Sequence, residues 1–382
     1  MLILAGITIS LTLGQRGILN RAQEAGRNYQ EAAKREDEEL ANFLKEADDI
    51  INGINGGETT PTAPEDALAK KVQIGDYVAY DPTAGITEEE KEAGKLSYTS
   101  PVGTGSSHGN GYTDILKGQT FTVEENTKWR VLSKDEKTGE VVLISEKPMH
   151  EFGIRGAIGY LYYEQELNEI CKIYGYGTGA NISKTFTYET GDLENKVADE
   201  NGTLVPERTK GTITGSGARS ITVEDINNIT KYDPTTFTYE NKGTTYKYGD
   251  LNTHTTFYPT KTKENGKSET ATKRTIKWTQ YSYQGSQYLT NRESVMYKIL
   301  FGNDDLLYWV ASRGVTSLLN QAGFGMFGVS KGGVFCNGGL CLGRSDYLGE
   351  DSSVLPVRPI VYLNQNLQTS GKDASGAWII SE

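Results

Sequence analysis

Residues 121–146 read FTVEENTKWRVLSKDEKTGEVVLISE. Two apolar-rich runs, 121–132 and 140–146, flank the polar, Gly-ended segment KDEKTG. That is the pattern of two paired strands joined by a short turn. Upstream, VQIGDYVAYDP (72–82) is a third short alternating run, ending in Asp-Pro. Downstream, IGYLYYEQELNEICKIY (158–174) changes period. Leu161, Leu167, Ile170, Cys171 and Tyr174 recur near helical spacing, which predicts a buried helix with Cys171 as a core thiol.

Further along, residues 177–277 are rich in Thr, Tyr, Lys and Asn. TFTYE occurs at 185–189 and again at 236–240, each copy followed by Gly-Asp-Leu (191–193 and 249–251). Two copies this short predict two similar hairpins, since a solenoid needs more repeats. Between them lies ARSITVEDINNI (218–229), in which Thr222 with Asp225 three residues later reads as a helix cap. The last third alternates Gly with aromatics: YWVASRG (308–314), FGMFGV (324–329), GGVFCNGGLCLG (332–343) and LPVRPIVYL (355–363). These are short strands separated by turns.

The chain begins differently. Met1–Leu13 is almost wholly apolar, and Leu40, Phe43, Leu44, Ala47, Ile50, Ile51 and Ile54 then share one face at spacings of three and four. Residues 1–54 therefore predict one long helix of roughly 80 Å, weakened at Gly14, Gly17 and Gly26. The apolar run alone gives about 20 Å of helix, short of a hydrocarbon core of roughly 30 Å. Gly and Pro break the pattern at GINGGETTPTAP (53–64). The expected fold class is α+β, a long N-terminal helix followed by a β-rich globular domain with short helices. The expected divisions are helix 1–54, linker 55–72 and globular domain 73–382.

Composition narrows the function. The net charge of −11 argues against a nucleic-acid partner, which requires a basic face. Three histidines (His108, His150, His254) and three cysteines leave little material for a metal site, and none is expected; nor is a cofactor. No nucleophile elbow, P-loop or zinc-helix motif is present. Asp304-Asp305 and the group Asp346, Glu350, Asp351 match no EF-hand spacing and read as solvated turns. Cys336 and Cys341 bracket Asn-Gly-Gly-Leu; Asn-Gly signals a tight turn, so the pair is expected to face each other near a hairpin tip in a structural role. Arg358, inside an apolar run, needs carboxylate or carbonyl partners and reads as a structural fork. Arg313 reads either the same way or as a ligand contact.

Two resemblances follow from these residues. LILAGITISLTLGQRGILNRAQEA (2–25) resembles the later part of a type IV pilin-like N-terminal helix of Gram-positive bacteria. This implies other pilin-like subunits as partners, membrane contact through residues 1–13 and a missing upstream segment, and a cell-surface or pilus location. The order Trp129–Leu132, GEVVLISEKP, GAIGYLYYEQELNEIC, ARSITVEDI, YWVASR, FGMFGV and VRPIVYL resembles a bacterial surface domain with a C-type-lectin-like fold, shared with the formylglycine-generating enzymes. That resemblance implies a ligand-binding surface within 313–355, carried by Arg313, Asn337, Arg344, Asp346 and Tyr347, with Trp309, Arg358, Cys336 and Cys341 structural. The sugar-binding triplets of calcium lectins are absent. The expected function is a non-enzymatic surface adhesion or binding protein with a protein or glycan ligand. The alternatives are a structural minor pilin or pseudopilin and, more remotely, a copper-thiolate oxidase using the two late cysteines.

Overall fold

The computed structural model describes residues 63–381 apart from 101–106, 109–110, 113–118, 125, 199–203, 234–237, 242–243, 248–250, 263–267, 280–290, 303–304, 319–320, 331–332, 345–347, 351 and 366. All of them belong to one compact unit, Thr62–Glu382. The helix expected over 1–54 lies outside the described residues. The fold class itself is corrected: the described residues are β-rich, with far more strand than helix and no long N-terminal helix among them. The Thr- and Tyr-rich middle explains the excess of strand. β-branched and aromatic side chains suit a pleated surface, and this region runs as long two-stranded ribbons, Phe186–Ala198 with Leu204–Ile213 and Leu251–Thr262 with Ser268–Thr279.

A seven-stranded sheet organises the body. Its spatial order is Ala218–Ser220, Pro359–Tyr362, Val141–Ser145, Trp129–Lys134, Tyr77–Ala79, Trp378–Ser381, Gln368–Lys372. The turn KDEKTG joins two of these strands as its composition predicts. Asp135 and Gly139 close it, Gly139 N–H donating to Asp135 O at 2.8 Å, with Gly139 at φ 76°. The run 121–132, however, does not form one strand. Thr120–Thr122 pairs with Ser97–Thr99 in a separate small sheet, and only from Trp129 does the chain enter the central one.

Period-two alternation buries both faces of this sheet. Val141, Leu143, Trp129, Val131 and Val361 pack into one apolar cluster; Val142, Ile144, Leu132 and Ile360 pack into another. The helix Gly156–Lys172 covers the first face through Tyr163, Leu167, Ile170 and Cys171. The short helices Val223–Thr230 and Val295–Phe301 cover the second through Val223, Ile226, Tyr297, Ile299, Leu300 and Phe301. Each such aliphatic or aromatic side chain withdrawn from water contributes about 1.5–3 kcal/mol. Thr222 and Asp225 form the anticipated capping box: the Thr222 hydroxyl accepts from Asp225 N at 3.1 Å, and the Asp225 carboxylate accepts from Thr222 N at 2.8 Å.

The ends of the body meet. Tyr77–Ala79 lies parallel to Trp378–Ser381, the one parallel pairing in the sheet, and Trp378 Nε1 donates to Asp76 at 2.8 Å. Leu68–Lys71 is helical, with Leu68, Ala69 and Val72 in the core and Ala67 bridged to Gln368. Residues 63–72, expected within the linker, belong to the body, with Ala67, Leu68, Ala69 and Val72 apolar and buried. Among the described residues no helix is long and apolar enough to cross a membrane.

Candidate functional site

The segment carrying most of the predicted binding residues is a four-stranded antiparallel meander: Tyr308–Leu318, Gln321–Ser330, Gly333–Arg344 and Leu348–Glu350. Its first strand opens with YWVASR, and every member of that motif is tied inward. Tyr308 hydroxyl donates to Leu300 O at 2.9 Å. Trp309 Nε1 donates to Phe152 O at 2.8 Å, and its ring meets Tyr163 edge-on at 5.9 Å. Val310 O receives the Tyr163 hydroxyl, and Ala311 N donates to Ile221 O at 2.8 Å. Ser312 hydroxyl accepts from Val223 N at 3.0 Å and donates to Glu224 at 3.2 Å. Arg313 is 5% exposed, and its Nε donates to Glu164 at 3.2 Å across a sequence separation of 149 residues. Of the two roles expected for Arg313, its burial and pairing favour the structural one, a buried ion-pair member. A guanidinium buried this deeply needs carboxylate or carbonyl partners, and helix Gly156–Lys172 supplies a carboxylate.

The remaining predicted residues divide. Arg313, Met326 and Asn337 stand in one register row across three strands, so Arg313 and Asn337 are roughly two strand spacings, about 10 Å, apart. Arg344 pairs with Gln321 at the far end of the same strands. Seven residues separate Asn337 from Arg344 along one strand, roughly 20 Å at about 3.3 Å per residue, so they do not form one compact site. Asp346 and Tyr347 lie outside the described residues.

The Asn-Gly-Gly-Leu stretch is not a hairpin tip. Strand Gly333–Arg344 runs through it, with Cys336 in register with Phe327 and Cys341 with Phe324. Between Asn337↔Met326 and Cys341↔Phe324, three residues oppose the single Gly325. The glycines therefore absorb a bulge, and the two cysteines sit on one strand rather than on two facing ones.

Arg358 is 1% exposed and acts as a three-way fork. It donates to Ser145 O at 3.0 Å, Leu300 O at 3.3 Å and Glu146 O at 3.2 Å, over the Tyr308 ring at 5.0 Å. Burial pulls its pKa down, opposed by Tyr308. Cys171 is wholly buried, and burial pushes its thiol up, which keeps it unreactive.

Two polar clusters were not anticipated from sequence. In the first, His150 Nε2 is 2.8 Å from the Tyr174 hydroxyl, and His150 Nδ1 is 3.4 Å from Glu124, whose own N–H donates to Tyr174 at 3.0 Å. His150 has φ 54°, an unusual conformation for a side-chain-bearing residue. Burial lowers the His150 pKa, partly offset by Glu124, and burial raises that of Tyr174. A neutral imidazole between a protonated phenol and a carboxylate ties together the segment at Glu124, the strand Met149–Arg155 and the residues after the long helix. Tyr174, Trp129 and Tyr80 continue inward as edge-on rings.

The second cluster surrounds Glu166, which is 1% exposed on the long helix. Tyr98 hydroxyl donates to its Oε1 at 2.9 Å, while Oε2 has no hydrogen-bond partner among the described residues. Burial raises its pKa to about 7, against the pull of Ser100 and Tyr98 and with a further push from Glu169. This one had a legible signal. Glu166 falls three residues after Tyr163 and four before Ile170, on the apolar stripe of the helix. His150 had none, because its partners come from distant segments.

Among the described residues no group of three or more His, Cys, Asp or Glu is placed to hold a metal ion. No family model, curated protein or solved structure matches this chain.

Proposed function

We propose that this chain is a non-enzymatic binding protein of the cell exterior, with its ligand surface on the ribbons and the meander that surround the central sheet. The observation that supports this reading is the distribution of burial. Both faces of the seven-stranded sheet are packed, and the charged groups Arg313, Arg358 and Arg219 are engaged in internal pairs or forks. What the body presents beyond that core is long strands rich in Thr, Tyr, Asn and Lys. Tyr combines a rigid apolar body with a polar tip, and short polar residues supply adaptable hydrogen bonds, the composition that serves recognition surfaces. Arg344 and Asn337 are retained in this reading as separate contacts along one strand.

The test is a binding screen of the full chain against glycan, protein and whole-cell panels, repeated with Asn337→Ala and Arg344→Ala. The expected result is binding to at least one panel, weakened about tenfold or more, which is about 1.4 kcal/mol, by one of the two changes at an unaltered unfolding midpoint. Binding that survives both changes, or no binding in any panel, refutes the reading.

A further inference from the structure

The small sheet Ser97–Thr99 with Thr120–Thr122 is fastened to helix Gly156–Lys172 by a buried carboxyl group. Phe121 anchors one strand in the core, and Tyr98 on the other reaches Glu166 across 68 residues of sequence. Among the described residues, no positive charge acts on Glu166 to offset an ionised carboxylate. Tyr98 and Ser100 face it from the small sheet, Tyr188 from the ribbon strand Phe186–Ala198, and Glu169 from the next turn of its own helix. The nearby cations are engaged elsewhere, Lys172 with Glu169 at 3.4 Å and Lys95 with Glu90 at 2.6 Å. A carboxylate withdrawn from water without a cation is strongly disfavoured, so the group keeps its proton or the site opens. Oε2, without a partner among the described residues, is the oxygen free to carry that proton, while Oε1 accepts from Tyr98.

We infer that Glu166 is a proton-operated fastening: with its proton in place the Tyr98 strand stays docked on the long helix, and loss of the proton loosens that strand from the body. Docking is then tight in mildly acidic surroundings and weaker in alkaline ones, and the change is local, because the core beneath belongs to Phe121, Tyr163 and Leu167. The device is independent of any ligand.

The experiment is hydrogen exchange on the full chain, reading the amides of Tyr98, Thr99 and Ser100 at pH 5.5 and 8.0, corrected for intrinsic exchange rates. A docked carboxyl titrating near 7 and an exposed one near 4.5 give an expected loss of protection of about 30-fold over that interval. Glu166→Gln is neutral at every pH and is expected to flatten this dependence. Glu169→Gln removes the neighbouring negative charge at a partly exposed position and is expected to move the midpoint to lower pH. Direct carbon-13 titration of the Glu166 carboxyl in the wild-type chain provides a readout if Glu166→Gln does not fold. Protection that is flat with pH in the wild type, an unchanged dependence in Glu166→Gln, or a carboxyl titrating near 4.5 overturns the inference.

Discussion

Replacing Arg358 tests the packing argument where it is most quantitative. The guanidinium joins the end of strand Val141–Ser145, the following Glu146 and the last turn of helix Val295–Phe301. Leu300 O lies in the last turn of that helix, where carbonyls lack an intrahelical partner and a cation is favourable. Three hydrogen bonds from a charged donor are worth about 1.5–3 kcal/mol each, so the gross interaction is roughly 5–9 kcal/mol. Desolvating the guanidinium costs several kcal/mol in the other direction. Arg358→Ala also leaves a cavity, a further destabilisation of about 2 kcal/mol or more. Leu300 O keeps its bond from the Tyr308 hydroxyl, so that carbonyl is not left unpaired. The net expectation is a loss of about 4 kcal/mol for Arg358→Ala. Arg358→Met restores volume and removes the buried charge, and is expected to lose about 2 kcal/mol. Arg358→Lys keeps the charge but cannot serve three carbonyls, and is expected to fall between the two. Urea denaturation followed by tryptophan fluorescence and circular dichroism, with coincident transitions, gives these differences. A loss under about 1 kcal/mol for Arg358→Ala would show that the fork is replaceable by water and refute the reasoning.

Further outcomes follow from the same structure. His150 binds its proton less readily when folded than when unfolded, because burial lowers its pKa; its contribution to stability is therefore complete above the ordinary value of about 6.5 and is lost as pH falls below it. His150→Asn, which tolerates the positive φ but is too short to reach Tyr174, should flatten that component. The stability difference between wild type and variant should then shrink between pH 7 and 5, and a difference constant with pH contradicts the assignment. Asp225→Ala removes both the capping box and the two bonds from Arg219 at 2.6 and 2.7 Å. It is expected to cost about 2 kcal/mol or more, against about 1 kcal/mol for Thr222→Ala, measured by thermal unfolding; equal costs would show that Arg219 contributes nothing. Cys171 should resist thiol reagents in the native protein and react at once in 6 M guanidinium, about the strength that unfolds most domains; rapid native labelling would place it outside the core.

Local features were legible in the sequence because they depend on neighbours in the chain. The Thr222–Asp225 cap, the turn closed by Gly139 and the stripe of helix Gly156–Lys172 each need only spacing and residue type. The two TFTYE copies likewise stand at the first strands of antiparallel hairpins, Phe186–Ala198 and Thr238–Asn241. Arg358 announced itself as a cation in an apolar run. What the sequence left open was set by contacts between distant segments. Nothing in FTVEENTKWRVL says that its two ends serve different sheets, since alternation is the same in both. Asn337-Gly338 signals a turn equally well whether the chain reverses or merely bulges, and pairing with Met326 and Phe324 decided for the bulge. Arg313 was an open choice between surface and core until helix Gly156–Lys172 brought Glu164 to it. Sequence alone thus determined the periodic elements, their caps and the residues that must be buried. Tertiary structure decided strand order, the parallel closure of Tyr77–Ala79 on Trp378–Ser381, and which charges meet. Pairing energy depends on which distant strand supplies the partner, and a local pattern carries no record of that partner.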